Sequence, residues 1–181
     1  MDEGRPMELT VSQRADTGKS TAAEMDLDHS LDQALTSDLE DVQQLELEAY
    51  GDHAYSYVVL RQFLDMTGEL FQVCRDADGN VIAYGVIARS ISPDSGWFHS
   101  LVVSAAHRRK GIGTELSKKL INKADSHSIK ELFLTVEPDN KAAISLYKRL
   151  GFTDVKFEPH YYGQNESRII MHRYPGRQQK V

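Results

Sequence analysis

The residues able to do chemistry gather in two stretches. The first is RRKGIGTEL, from Arg108 to Leu116, where two arginines and a lysine run into Gly111-Ile112-Gly113 and then a helix-forming segment. A helix N-terminus carries unsatisfied N–H groups and the positive end of the helix dipole. Glycines there let a ligand approach the backbone closely. Arg108, Arg109 and Lys110 add charge suited to phosphate. The combination is a pyrophosphate cradle. Two other phosphate loops are excluded by spacing. Gly-x-x-x-x-Gly-Lys-Ser/Thr is absent, and Leu116 stands where a dinucleotide fingerprint needs its third glycine.

The second stretch, NKAAISLYKRLGF, starts about 27 residues after Gly113. Asn140 and Tyr147 are two helical turns apart and face the same way, with the small Ala143 between them. A ligand has room along that face. The histidines and the single cysteine, Cys74, show no metal-binding spacing, so no metal is expected.

Elements must hold these stretches in place. In TSDLEDVQQLELEAY, Leu39, Val42, Leu45 and Ala49 recur at helical spacing, with Ser37 or Asp38 as N-cap. YSYVVLRQFLDM reads as a short second helix. LFQVCRDADGNVIAYGVIAR reads as a hairpin turning at Asp78-Gly79-Asn80. GWFHSLVV, Gly96 to Val103, is a strand, followed by a helix from about Ile112 to Ser126. Glu131 to Val136 is another strand. The Asn140 helix is capped by Asp139 or Asn140 and stopped by Gly151. FTDVKFE and SRIIMHRY close the fold as two strands around the loop PHYYGQNE. This order predicts an α/β (α+β) fold with a mixed sheet flanked by helices.

Composition sets the outer limits. The chain has 181 residues, 40% of them hydrophobic, which suits one domain with a real core. A net charge of -6 argues against a nucleic-acid surface spread over the whole protein. One cysteine allows no internal disulfide framework and fits a reducing compartment. No apolar run is long enough to span a membrane, and none reads as a signal peptide. The expectation is a cytoplasmic protein, monomer or homodimer, without nucleic-acid or membrane partners. Residues 1–34 are polar and small and read as a disordered tail. The domain is expected over 35–174, with 175–181 as a second tail.

Together, LVVSAAHRRKGIGTEL and LTVEPDNKAAISLYKRLGF resemble the GNAT N-acetyltransferase superfamily, in the right order and separation. The resemblance covers roughly Ser37 to His172. It implies a mostly antiparallel sheet in which two neighbouring parallel strands splay apart to admit acetyl-CoA. Here these would be Trp97–Val103 and Glu131–Val136. Backbone groups of Leu101, Val102 and Val103 would hold the pantetheine arm and polarise the thioester carbonyl. The amides of Arg109, Lys110, Gly111, Ile112, Gly113 and Thr114 would hold the pyrophosphate beside Arg108. Asn140 and Ala143 would line the cofactor, and Tyr147 would protonate the departing thiolate.

The resemblance leaves the base open. Trp97 and Thr135 occupy positions where relatives carry a carboxylate or a tyrosine. His99, Glu137 and a chain of waters are the remaining candidates; an ordinary imidazole pKa of ~6.5 suits such a role. Tyr161 and Tyr162 resemble the tyrosine-rich acceptor loop of protein N-terminal acetyltransferases. Glu46 and Tyr50, with Glu48 nearby, resemble their first-helix Glu-x-x-x-aromatic element. The expected function is transfer of acetyl from acetyl-CoA to a primary amine by direct attack, with a peptide or protein N-terminus as one acceptor. A small-molecule amine remains open as acceptor, and so does a non-catalytic, acetyl-CoA-binding regulatory domain.

Overall fold

The hairpin signal is realised through one side chain. Asp76 accepts hydrogen bonds on Oδ1 from the N–H groups of Asp78 (3.0 Å) and Asn80 (2.9 Å), closing a turn in which Gly79 takes φ +87°. The computed structural model describes residues 29–174. In chain order the elements are β1 (His29–Gln33), α1 (Leu39–Tyr50), α2 (Tyr57–Thr67), β2 (Phe71–Asp76), β3 (Val81–Arg89), β4 (Ser95–Val103), α3 (Ile112–Ser126), β5 (Glu131–Val136), α4 (Lys141–Arg149), β6 (Thr153–Glu158) and β7 (Arg168–Arg173).

One seven-stranded sheet runs β1-β2-β3-β4-β5-β7-β6. Every neighbouring pair is antiparallel except β4 and β5. That exception follows from α3, because strands joined through a helical crossover emerge parallel. The sheet therefore has the mixed, mostly antiparallel form expected from the sequence.

Apolar side chains on the two faces build two cores. On one side, Ile112, Leu116 and Leu120 of α3 and Tyr147 of α4 pack on Ile87, Phe98, Leu132 and Leu134. On the other, Leu39, Val42 and Leu45 of α1 and Leu60 and Phe63 of α2 pack on Val73, Tyr84, Val86 and Val102. The expected α1 stripe is the buried one, with Ala49 packed at its edge. β6 forms a free edge and is almost wholly exposed, Val155 and Phe157 included.

Two sequence expectations need correction. Residues 29–34, expected in the tail, are structured. His29–Gln33 pairs along β2, Ala34 is only 1% exposed, and its N–H donates to the Phe71 carbonyl (2.9 Å). A five-residue strand with one large apolar side chain, Leu31, has no readable alternation; backbone pairing holds it. The remaining expected tails, 1–28 and 175–181, lie outside the described residues.

Asp38 stands at the N-cap position of α1, but its side chain does not cap the helix. Its carboxylate is buried and accepts from Leu35 N–H (2.7 Å) and from Arg75 Nη2 (2.7 Å), joining the α1 approach to β2. Arg75→Ala leaves one of those oxygens without its charged donor. It should lower the unfolding free energy by about 1.5–3 kcal/mol. Urea denaturation followed by circular dichroism measures this, and an unchanged midpoint would mean that the Leu35 N–H alone holds Asp38.

Candidate active site

The site begins where two strands part. The β4–β5 ladder pairs Ser95 to Phe98 with Glu131 to Leu134 and goes no further, although both strands continue. On its other side β4 has a register shift against β3: Ser100 pairs with Val86 and Phe98 with Ile87, so His99 has no partner. Such a bulge bends and twists the strand that carries it. It sits at the residue where β4 leaves β5.

Beyond the bulge the backbone polarity of β4 can be worked out. Ser104 N–H donates to the Ile82 carbonyl on β3 (2.9 Å). Successive residues of a strand alternate sides, so the N–H and C=O of Leu101 and Val103 point to the edge that β5 has left. Consistent with this, Arg108 Nε reaches the Val103 carbonyl from that side (3.0 Å). The cleft thus offers a row of strand-type donors and acceptors, as a long amide-bearing ligand needs.

The mouth of the cleft is the start of α3. Arg109 and Gly111 both take left-handed backbone, φ +64° and +90°, and turn the chain sharply into the helix. The first helical bonds run from Thr114 and Glu115 N–H to the Gly111 carbonyl. Among the described residues, the amides of Arg109 to Gly113 have no backbone acceptor. Arg108, Arg109 and Lys110 are exposed beside them. A side chain on Gly113 would enter the gap between Val103 (3.5 Å), Leu101 and Leu146 (each 4.0 Å), between β4 and α4. The absence of that side chain keeps the cleft continuous up to the free amides. These features fit the pyrophosphate and arm of a coenzyme A thioester.

The far wall is α4. Asn140 Oδ1 accepts from Ala143 N–H (3.0 Å), so the expected cofactor contact is also the helix cap. Ala143 and Tyr147 share the core-facing side of the helix. The Tyr147 ring meets Phe98 and Phe152 edge-on, and burial pushes its phenol far above the ordinary tyrosine pKa, helped by Tyr50. It stays protonated at neutral pH and can donate.

The residues expected on the acceptor side lie on α1 and on the loop between β6 and β7. Thr135 Oγ1 is 3.2 Å from the Tyr162 hydroxyl, Arg168 stacks over the Tyr162 ring, and Tyr161 meets Tyr162 edge-on. Across from them stand Tyr50 and Tyr55. Burial, then Tyr162 and Glu46, push the Tyr55 phenol up to about 12; burial and Glu46 raise that of Tyr50. Tyrosines therefore gather beside Thr135, where β5 has parted from β4.

The expected acidic residues separate. Glu46 is 1% exposed and faces inward. Its Oε1 accepts from Ser100 Oγ (2.9 Å) and from the Tyr84 hydroxyl, and its Oε2 from Tyr55 N–H (2.9 Å). Glu48 is exposed on another face of α1, in a hollow with Asn80 and Ser104. The structure does not bring it to the tyrosines. His99 packs its ring against Phe63 (5.0 Å), and partial desolvation lowers its pKa. Glu137 is exposed, 3.7 Å from Arg168. Sequence reasoning missed Tyr55, Tyr84 and Ser100. The latter two sit inside apolar strand runs and carry no pattern that marks them as more than core.

This architecture has known counterparts. Residues 33–152 match the acetyltransferase (GNAT) family. The chain is 29% identical over 149 residues to an N-alpha-acetyltransferase of Sulfolobus acidocaldarius, covering 76% of this chain and 88% of that one. It is 27% identical over 139 residues to a [Ribosomal protein bS18]-alanine N-acetyltransferase of Salmonella typhimurium, covering 75% and 90%. Among solved structures, Ard1 from Thermoplasma volcanium superposes with a TM-score of 0.76 at 22% identity, over 82% of this chain and 98% of that one.

The cradle makes a direct expectation. Gly111→Val forces a branched residue into left-handed backbone, and Gly113→Val fills the gap toward Leu146. Each should weaken acetyl-CoA binding more than tenfold, a loss above about 1.4 kcal/mol. Isothermal titration reads this directly; unchanged affinity in both variants would remove the cradle.

Proposed function

The chain belongs to the GNAT family and is an acetyl-CoA-dependent N-acetyltransferase; from that premise we propose that its acceptor is the α-amine at the N-terminus of a peptide or protein. The observation that supports this reading is the tyrosine pair at the parted strands: Tyr162 lies 3.2 Å from Thr135, the first β5 residue past the end of the β4–β5 ladder, with Tyr161 edge-on to it. Phenol hydroxyls there suit the amide groups of an extended chain. Relatives named N-alpha-acetyltransferase support the same assignment.

Acetyl-CoA supplies an acyl group already activated as a thioester. Residues of the chain then have three tasks. The amides of Arg109 to Gly113, with Thr114 opening the helix and the three basic side chains alongside, hold the pyrophosphate end. The open-edge backbone of Leu101 and Val103, facing Asn140 and Ala143 of α4, aligns the arm as an added strand would. An N–H there is placed to stabilise negative charge on the acyl oxygen. Tyr147, buried and protonated, donates a proton to the leaving sulfur.

The acceptor chemistry favours α-amines on energetic grounds. A free α-amine has a pKa of ~7.7–8.0, against ~10.4 for lysine. Trp97 and Thr135 put no strong base in direct reach of the cleft. By these values about a tenth or more of an α-amine is neutral at pH 7, against less than about a thousandth of lysine, so the α-amine needs the least help. Among the described residues no helix is long and apolar enough to cross a membrane. The buried Cys74 thiol, pushed up to about 12 by its burial, fits our placement of the enzyme in the cytoplasm.

Two measurements test this. A peptide with a free N-terminus should outcompete the same peptide blocked there but carrying an internal lysine. Preference for the blocked peptide, or reaction only with a small amine, would replace the N-terminal acceptor. Tyr147→Phe should lower kcat by about 10²–10⁴ with acetyl-CoA affinity barely changed. A wild-type turnover number would transfer the acid role to water.

A further inference from the structure

Four aromatic rings lie in a row on the sheet beside the parted strands, on the face turned away from α3 and α4. We propose that these rings, Trp97, Phe133, His172 and Tyr174, form a shelf for the acceptor chain. The shelf takes apolar side chains that follow the reacting amine, so the enzyme selects extended chains with apolar second to fourth residues. The inference rests on the N-terminal acceptor reading above and adds which chains are chosen.

The face follows from alternation. Phe98, Leu132, Leu134 and Met171 belong to the core under α3 and α4. Their strand neighbours Trp97, Phe133, Thr135 and His172 therefore turn to the opposite face. There α1 and α2 pack on β2, β3 and β4, and the core they build holds no residue of β5, β6 or β7. The register sets Trp97 beside Phe133 and Phe133 beside His172. Their ring centroids are 5.3 Å and 4.5 Å apart, and the Phe133 and His172 rings lie within 17° of parallel. Tyr174, just past β7, continues the row 6.5 Å from His172 and is 47% exposed. His172 Nε2 has no hydrogen-bond partner and lies 3.8 Å from Glu131 Oε2, so the ring packs as an apolar plate. A contiguous half-exposed apolar surface of this kind marks an interaction site.

Its place selects the occupant. The coenzyme arm, aligned against α4, lies on the α3 side of the sheet, which leaves the opposite face to the amine. Thr135, where β5 has parted from β4, turns to that face and meets the Tyr162 hydroxyl at 3.2 Å. Phe133 is two strand residues back, ~6.6 Å along β5, and an extended acceptor advances by the same ~3.3 Å per residue. With its amine beside Thr135, the acceptor lays its second to fourth residues over Phe133 and the neighbouring rings. Apolar side chains there leave water together with the rings they cover. Acidic ones meet the partly exposed carboxylate of Glu131 instead. A small amine would leave the shelf uncovered.

Trp97 is the single tryptophan of the chain, so its emission reads the shelf directly. The probes are two peptides that begin Ala-Leu-Phe-Leu and Ala-Ser-Glu-Ser and are otherwise identical, each N-acetylated and titrated in the presence of coenzyme A. The apolar peptide should change Trp97 emission saturably and bind about tenfold more tightly than the polar one. Phe133→Ala and Tyr174→Ala should each shrink that ratio severalfold, and Tyr174→Ala, at the exposed end of the row, gives the readout where Phe133→Ala does not fold. Equal affinities, or emission unmoved by the apolar peptide, would overturn the shelf. Emission that depends on protein concentration without peptide would give the face to a second copy of the chain and overturn it too. The same peptides with free amines, assayed with acetyl-CoA, separate the two readings. Acetylation of both at equal kcat/KM removes the shelf and leaves the N-terminal acceptor standing. Selective binding with neither free peptide acetylated overturns the N-terminal acceptor, and with it the place of the shelf in the acceptor site.

Discussion

One unmatched residue organises this enzyme. β4 carries His99 with no partner on β3, and the strand bends there. The bend ends its ladder with β5 after Phe98 and frees the backbone of Leu101 and Val103. It also turns Ser100 toward α1 instead of leaving it in alternation with His99. A regular strand would keep pairing with β5, and the cleft would be filled with sheet hydrogen bonds. The bulge exchanges those internal bonds for groups that a ligand can satisfy.

Most elements were legible because local chemistry and burial agree in them. Asp78-Gly79-Asn80 specified the hairpin, Asn140 and Gly151 bounded α4, and Gly111 opened α3. The turn proposed as a phosphate cradle was legible for the same reason: its left-handed Gly111 and unbonded amides come from consecutive residues. The surroundings of Glu46 were not. Tyr55, Tyr84 and Ser100 come from the turn after α1, from β3 and from β4, and only the fold brings them to that carboxylate. Glu46 and Glu48 look equivalent in LELEAY, yet two residues along a helix is more than half a turn. One is sealed in the core while the other faces a hollow on the opposite side. β1 escaped notice because its stability lies in the ladder to β2 and not in its own side chains.

The two cores divide the work. The layer of α3 and α4 carries the unbonded amides at the start of α3 and holds Tyr147 between Phe98 and Phe152. The layer of α1 and α2 holds the polar network of Glu46, Tyr84 and Ser100 against β3 and β4. Buried polar groups are tolerable only when satisfied, and this network satisfies each carboxylate oxygen. The two layers thus border the sheet from opposite sides at the point where it opens.

The free edge β6 has a consequence for the growth of the sheet. An exposed edge strand is a template on which any extended chain can pair. Here a register shift between Asp154 and Lys156 interrupts the edge, and Asp154, Lys156 and Glu158 line it with alternating charge. Passing polypeptide finds no unbroken run of backbone partners there. The sheet is thereby kept from growing by an eighth strand at its open edge.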